Sequence, residues 1–243
     1  MMIITVSNQK GGVGKTTTSA ALAAGFSMAG KKVLCIDLDP QGNLGFCLGL
    51  DMETGYTVLD ALKGTVPVKD AVIRTELCDI LASDITLSSS GLEEVRQEHR
   101  ESILRDTLDP ILKNYDYVII DAPAGMDDNL LIAIGGADHI VLVINPEIAS
   151  MRDAEMMTAF LAETGGSYQI HYLINKLNLK LVRAGLAPSV EEVTRGMRGQ
   201  VLGLIPYDEN IHISTNLGVP IAFMPESPIA QNFVRIAERL REL

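Results

Sequence analysis

Basic residues are scarce: 20 Lys and Arg stand against 31 Asp and Glu, a formal net charge of −11 at pH 7. Such a chain is a poor sequence-independent DNA binder unless its cations gather on one face. It also argues mildly against unassisted docking on anionic lipid. Cysteine is equally sparse. Cys35, Cys47 and Cys78 are scattered and lack C-x-x-C spacing, so the expectation is reduced, mostly buried thiols in a cytosolic protein. No stretch approaches the roughly 18 apolar residues of a membrane span, and no basic n-region precedes an apolar h-region at the N-terminus. Internal repeats, low-complexity tracts and interdomain linkers are missing too; Thr164-Gly165-Gly166-Ser167 reads as a helix-to-strand turn. With 243 residues, 47% of them hydrophobic, there is apolar material for one sizeable core, and a single domain spanning 1–243 is expected.

What is present is alternation. Short runs rich in Val, Ile and Leu alternate with helical patterns from end to end, the signature of a parallel sheet wrapped by helices. Strands are expected at Met2–Val6, Lys32–Ile36, Asp79–Ala82, Tyr117–Ile120, His139–Ile144, Gln169–Ile174 and Val201–Leu204. Helices are expected at Thr16–Ala29, Gly91–Asn114, Ser150–Glu163, Ser189–Met197 and Pro228–Leu243. Most strands are continuous apolar runs, as strands buried on both faces are. The fold class is therefore α/β, a doubly wound, mostly parallel sheet flanked by helices, with ligands at the carboxyl ends of its strands.

The most informative segment follows the first strand. Residues 7–18 read Ser-Asn-Gln-Lys-Gly-Gly-Val-Gly-Lys-Thr-Thr-Thr, a phosphate-binding loop running into an alanine-rich helix. Gly11, Gly12 and Gly14 can take backbone angles that side chains forbid, so consecutive N–H groups converge on one anion. Val13 and Thr17 belong to the same cradle. Lys15 adds a point charge for the β- and γ-phosphates and Thr16 offers a hydroxyl to Mg²⁺, while the helix starting there points its positive end at the same phosphates. ATP and Mg²⁺ are the cofactors such a loop predicts. The strict pattern G-x-x-x-x-G-K-[ST] wants glycine where this chain has Gln9, and Lys10 is a second cation that a simple P-loop does not need.

Two further strand ends carry carboxylates. Lys32–Ile36 runs into Asp37-Leu38-Asp39-Pro40. Asp39 can orient an attacking water or hold a Mg²⁺ water, and Asp37 can do the latter; equally, Asp-Pro can simply end the strand and open a turn. Tyr117–Ile120 runs into Asp121-Ala122-Pro123-Ala124-Gly125. That is the Walker B arrangement, whose carboxylate holds Mg²⁺ through water, although a strand-end capping aspartate looks the same. Ser150 reads as the cap of the helix after His139–Ile144.

The string Lys-Gly-Gly-Val-Gly-Lys-Thr-Thr, led by Lys10, resembles the deviant Walker A motif of the ParA/MinD family of P-loop ATPases. The resemblance implies two subunits dimerised around two ATP molecules, with Lys10 reaching the partner's nucleotide and Lys15 serving its own. A cation supplied in trans can be worth about 10³–10⁵ in rate and makes hydrolysis conditional on dimerisation. Residues 37–43 resemble the family's switch I, where the position of Asp39 carries the catalytic aspartate, in the ParA-type wording Pro40-Gln41-Gly42-Asn43. Residues 121–125 resemble switch II in the MinD wording. The implied catalytic set is Lys10, Lys15 and Asp39, and the implied metal set is Thr16, Asp37, Asp39 and Asp121. Glu147 lies in a string similar to the MinD segment that crosses the dimer interface, where it would contact the partner subunit's nucleotide. Leu173–Lys176 resembles the adenine-contacting strand end, with an amide at Asn175, and Leu204–Glu209, with Pro206 and Asp208, resembles the loop that frames the base. Residues 174–193 again resemble MinD, so the likeness covers nearly the whole chain and is closest to MinD, with a ParA-like switch I.

The function this implies is an ATPase whose ATP-sandwich dimer times spatial positioning of a cell-division site or similar cargo, hydrolysing ATP to ADP and phosphate slowly without an activator. An activator or cargo-adaptor protein is the implied partner. The alternative is a ParA-type partition ATPase that binds DNA: switch I counts for it, net charge and the MinD-like segments against. A nucleotide-gated scaffold with negligible turnover is a third reading. Electron transfer, as in the nitrogenase iron protein that shares the double-lysine loop, would need cluster cysteines after switch II, and no Cys follows Cys78. MinD proteins usually end in an amphipathic membrane-targeting helix. Here the final helix, capped by Ser227 with Pro228 at its first position, sets Ile229, Phe233, Ile236, Ala237 and Leu240 opposite Arg235, Glu238, Arg239 and Glu242. That stripe is expected to pack on the sheet as core. The implied location is the cytoplasm; attachment to the inner membrane face stays open, with no C-terminal targeting helix evident.

Overall fold

Strands made of unbroken apolar residues must be covered on both faces, and the computed structural model shows how. It describes residues 1–243 except 51–54, 89–94, 96–99 and 225. Eight strands form one sheet: β1 Met2–Ser7, β2 Val33–Asp37, β3 Val72–Ile73, β4 Asp79–Leu81, β5 Tyr117–Asp121, β6 His139–Ile144, β7 Gln169–Leu177 and β8 Gln200–Pro206. Their spatial order is β3-β4-β2-β5-β1-β6-β7-β8. All pairings are parallel except the β3–β4 edge. Each expected strand is found, with ends moved by up to 3 residues; β3, only two residues long, was too short to show a period.

The helices are α1 Lys15–Met28, α2 Asn43–Cys47, α3 Val58–Lys63, α4 Val68–Ala71, α5 Arg100–Leu112, α6 Asp128–Ile134, α7 Ile148–Glu163, α8 Leu179–Arg183, α9 Val190–Thr194, α10 Asn210–Asn216 and α11 Pro228–Arg241. Of the helix expected at Gly91–Asn114, α5 is the regular part; residues 91–94 and 96–99 lie outside the described ones. The helix expected at Ser189–Met197 is shorter, because the reciprocal Ser189–Glu192 capping box starts it at Val190 and it ends at Thr194.

The period of two along β1 separates two cores. Ile3 faces Leu104, Leu108, Leu130 and Met157 of α5, α6 and α7. Ile4 and Val6 face Leu22 and Phe26 of α1 and Phe233 and Leu240 of α11. Sandwiched between sheet and α11, α1 has almost no polar face, which is why its sequence is alanine-rich rather than amphipathic. The two helices approach closely: a Cβ added at Gly25 would stand 2.9 Å from Ala237 Cβ. Phe26 stacks on Tyr117 with ring centroids 4.0 Å apart.

α11 starts as expected, with Ser227 accepting from Ile229 N and Pro228 at the first position. Ile229, Phe233, Ile236, Ala237 and Leu240 are each no more than 2% exposed, so the stripe is core. Arg239 donates from the same helix to the Leu202 carbonyl of β8. All three cysteines are free thiols and buried.

The strand order also places the crevice. The chain leaves β1 for β2 on one side, with β5 between them, and later crosses from β5 over β1 to β6. Crevices open at such reversals, outside the carboxyl ends of the strands. There Asp121 is in register with both Asp37 and Val6.

Phe233→Ala should lower the unfolding free energy by about 3–5 kcal/mol, the usual cost of deleting a buried phenyl group. Urea denaturation measures it, and a loss below about 1 kcal/mol would contradict the placement of α11 in the core.

Candidate active site

Between β1 and α1 the chain must turn back on itself within seven residues, and left-handed glycines let it. Gly12 has φ 73 and Gly14 φ 103. Gly14 is doubly constrained, since a Cβ there would sit 2.3 Å from Asn175 Nδ2. Val13 is 2% exposed and anchors the loop in the core. Asn8 accepts from Lys10 N and donates to the Val143 carbonyl of β6. Gln9 O accepts from Gly125 N at 2.9 Å, tying this loop to the one after β5.

Lys15 opens α1, 6% exposed, with Nζ donating to Lys10 O at 3.1 Å. Burial lowers its pKa from the ordinary 10.5, while the charges of Asp121 and Asp39 oppose that shift. Asp121, wholly buried, accepts from Ser19 Oγ at 2.9 Å, with the Thr16 hydroxyl close by. Its Oδ2 has no partner. Burial pushes the Asp121 carboxyl up to about 6, against the hydroxyls of Thr16 and Ser19 and the charge of Lys15. Asp37 accepts from Asp39 N and Leu44 N, each at 2.9 Å. Burial first, and Asp121 second, push it up to about 8 in spite of those donors. Asp39 is partly exposed, and its Oδ1 accepts from Gln41 N at 3.0 Å. One ammonium and three carboxylates thus crowd the strand ends, and the orphaned Asp121 oxygen beside a hydroxyl is the donor set that a hard, oxygen-seeking cation fits.

In front of them is a cleft of about 530 Å³, a size suited to a nucleotide. Gly11, Gly12, Gly14, Lys15, Thr16 and Thr17 line one end with Asp39; Tyr207, Asp208, Ile211, His212 and Thr215 line the other. The first end offers N–H groups and a helix terminus to an anion. Asn175, 3% exposed, also faces the cleft. Its Nδ2 donates to Val13 O at 2.7 Å and its Oδ1 has no partner.

The structure does not bring every expected residue here. Pro206 ends β8 and is not in the lining, whereas the next two residues are. Glu147, exposed, occupies the N-cap position of α7 outside the cleft. Ser150 is a correction: α7 begins at Ile148, and Ser150 Oγ instead accepts from Asn145 N at 3.1 Å, closing the turn after β6. Lys10 also lies outside, its Nζ 3.0 Å from Asp153 Oδ2 of α7. Residues unforeseen in the sequence are Phe46 and Cys47 of α2, and Ile211, His212 and Thr215 along α10. Helices of five and seven residues are too short to declare a face.

Comparison with known proteins agrees with this geometry. A family model described as an AAA domain matches residues 1–171. The septum site-determining protein MinD of Helicobacter pylori is 32% identical, across 98% of this chain and 90% of its own length. The chain belongs to the MinD/ParA family of P-loop ATPases. MinD of Thermotoga maritima is 29% identical over 98% of this chain and 88% of its own. Among solved structures, the MinC:MinD complex of Aquifex aeolicus superposes with a TM-score of 0.88 at 30% identity, covering 100% of this chain and 96% of that one. MinD of Pyrococcus horikoshii, complexed with Mg-ADP, gives 0.85 at 28% identity, covering 98% and 95%. As a member of that family this protein is an ATPase.

The raised carboxyls set a pH dependence. Their folded-state pKa values exceed the ordinary 3.8, so their contribution to stability is full below about pH 4 and is lost as pH rises through about 6 and then about 8. Asp121→Asn removes one carboxyl and its repulsion of the other. Between pH 5 and 8.5 the nucleotide-free variant should lose less stability than the wild type, by on the order of 1–3 kcal/mol. Urea melts at the two pH values test this; equal losses would contradict it.

Proposed function

We propose that this ATPase dimerises around two Mg-ATP molecules and uses hydrolysis to time the positioning of a protein partner, as a MinD-like spatial regulator acting as one unit over residues 1–243. The observation that carries the reading is the separation of the two loop lysines. Lys15 is buried at the phosphate end of the cleft, while the Lys10 side chain is 44% exposed and paired with Asp153 on α7. A cation on the outer lip is free to serve a second nucleotide once it exchanges Asp153 for a phosphate. The Asp153 side chain is only 18% exposed and its Oδ2 is buried, so the gain at the phosphate has to offset the loss of that carboxylate's partner. The first turn of the same α7 follows Glu147, which extends the proposed contact surface.

Within one subunit, the loop from Gly11 to Thr17 binds the phosphates, and Asn175 with the Tyr207–Asp208 turn holds the base. Thr16, Asp37, Asp39 and Asp121 would hold Mg²⁺, which supplies charge neutralisation at the phosphates when bound. Asp39, at the lip with one oxygen committed to its own turn, orients the attacking water with the other. Lys10 adds charge to the partner's nucleotide.

The Aquifex MinD was solved with MinC, and a partner protein docking on the dimer is proposed here too. Among the described residues no helix is long and apolar enough to cross a membrane, and the proposed site of action is the cytoplasm or its inner membrane face. DNA partition rests on the wording of switch I alone, and a net charge of −11 opposes it.

Lys10→Ala should bind ATP but fail to dimerise, and should lose activator-stimulated hydrolysis by about 10³-fold or more. Light scattering in ATP and Mg²⁺ on an Asp39→Ala background is the test. A double variant that still dimerises would overturn the trans-lysine mechanism.

A further inference from the structure

Among the described residues, Lys176 is the sole non-glycine with a positive φ, 55°. It stands in β7 where the pairing with β8 shifts register between Ile174 and Leu177. In a regular strand, neighbouring side chains point to opposite faces. Here the irregularity turns two successive ones onto the same loop, as bulges beside active sites do. Asn175 Nδ2 donates to Val13 O at 2.7 Å, and Lys176 Nζ donates to Gly12 O at 2.6 Å. Successive side chains thus hold successive P-loop carbonyls.

The peptide bonds concerned are trans, and in a trans peptide the C=O and N–H point opposite ways. Holding the carbonyls of Gly12 and Val13 against β7 therefore aims the N–H groups of Val13 and Gly14 away from it. We infer that Lys176 is a positioning residue for the phosphate cradle, a tether that fixes the Gly12–Val13 peptide with its N–H presented to the diphosphate. It is a third loop-associated lysine with a task different from those of Lys10 and Lys15: its ammonium is bonded to backbone, not offered to phosphate. The left-handed φ is the local strain that brings the side chain within reach. The inference rests on nucleotide binding in this cleft.

The test uses Lys176→Met, which keeps length but removes the ammonium, and Lys176→Gly, which also suits the positive φ. Calorimetry with Mg-ADP and with a non-hydrolysable Mg-ATP analogue should show both affinities reduced by the same factor, about tenfold or more. AMP, measured by competition against a fluorescent ADP, should keep its affinity, and Lys176→Arg should recover ADP binding to within about threefold. Three outcomes would overturn the role: no loss in either variant, a loss confined to the ATP analogue, which would make Lys176 a γ-phosphate ligand, or an equal loss for AMP, which would make it a base contact or a general structural residue. A wild-type protein that bound no ADP would instead defeat the reading of the cleft.

Discussion

Two carboxyl groups buried face to face on neighbouring strands are the constraint around which this molecule is organised. Asp37 and Asp121 end β2 and β5 in register and are wholly buried. Isolated buried charge is expensive, so such groups either take up a proton or find compensation. The protein supplies some of each. Two backbone N–H groups serve Asp37, two hydroxyls and the Lys15 ammonium serve Asp121, and the remainder appears as raised pKa values. The unpartnered Asp121 oxygen is the part of the cost left standing. On the proposed reading a bound cation and polyphosphate would offset it, coupling ligand binding to the charge state of the strand ends.

The sheet exists in this order to make that meeting possible. Inserting β5 between β1 and β2 puts the P-loop, the first carboxylate and the second carboxylate on three adjacent strand ends. The loop is then held from several sides: by Val143 of β6 through Asn8, by Gly125 through Gln9, and by β7 through Asn175 and Lys176. Preorganised N–H groups bind an anion without reorganising first, which is where such sites gain their advantage over water. The helices α2 and α10 that line the cleft are short and carry exposed apolar residues; Phe46 of α2 is 55% exposed.

Much of this was legible in the sequence, for identifiable reasons. Strands β1, β2 and β5 could be read because unbroken Val, Ile and Leu runs ended in aspartate or in the glycine loop. α11 could be read because its cap, its Pro228 and its apolar stripe agree on one helix and one buried face. The short α2 and α10, which supply one wall of the cleft, could not, since a helix of one or two turns shows no period. Ser150 looked like a cap because a strand-to-helix turn and an N-cap favour the same residue type. Lys176 was hidden for a deeper reason. Its reach to Gly12 depends on a register shift between β7 and β8, a relation between distant segments that leaves no local mark.

The central claim, that ligand binding compensates the charge of two buried and partly protonated carboxyls, has a direct test. Calorimetric titration of Mg-ADP at pH 7.5, in buffers of different ionisation enthalpy, counts protons exchanged on binding. Nucleotide already complexed with Mg²⁺ at that pH is fully ionised, so exchanged protons belong to the protein. The account predicts net proton release, as the raised carboxyl of Asp37 ionises, shrinking towards zero as the pH is raised. Binding with no proton release at pH 7.5 would contradict it.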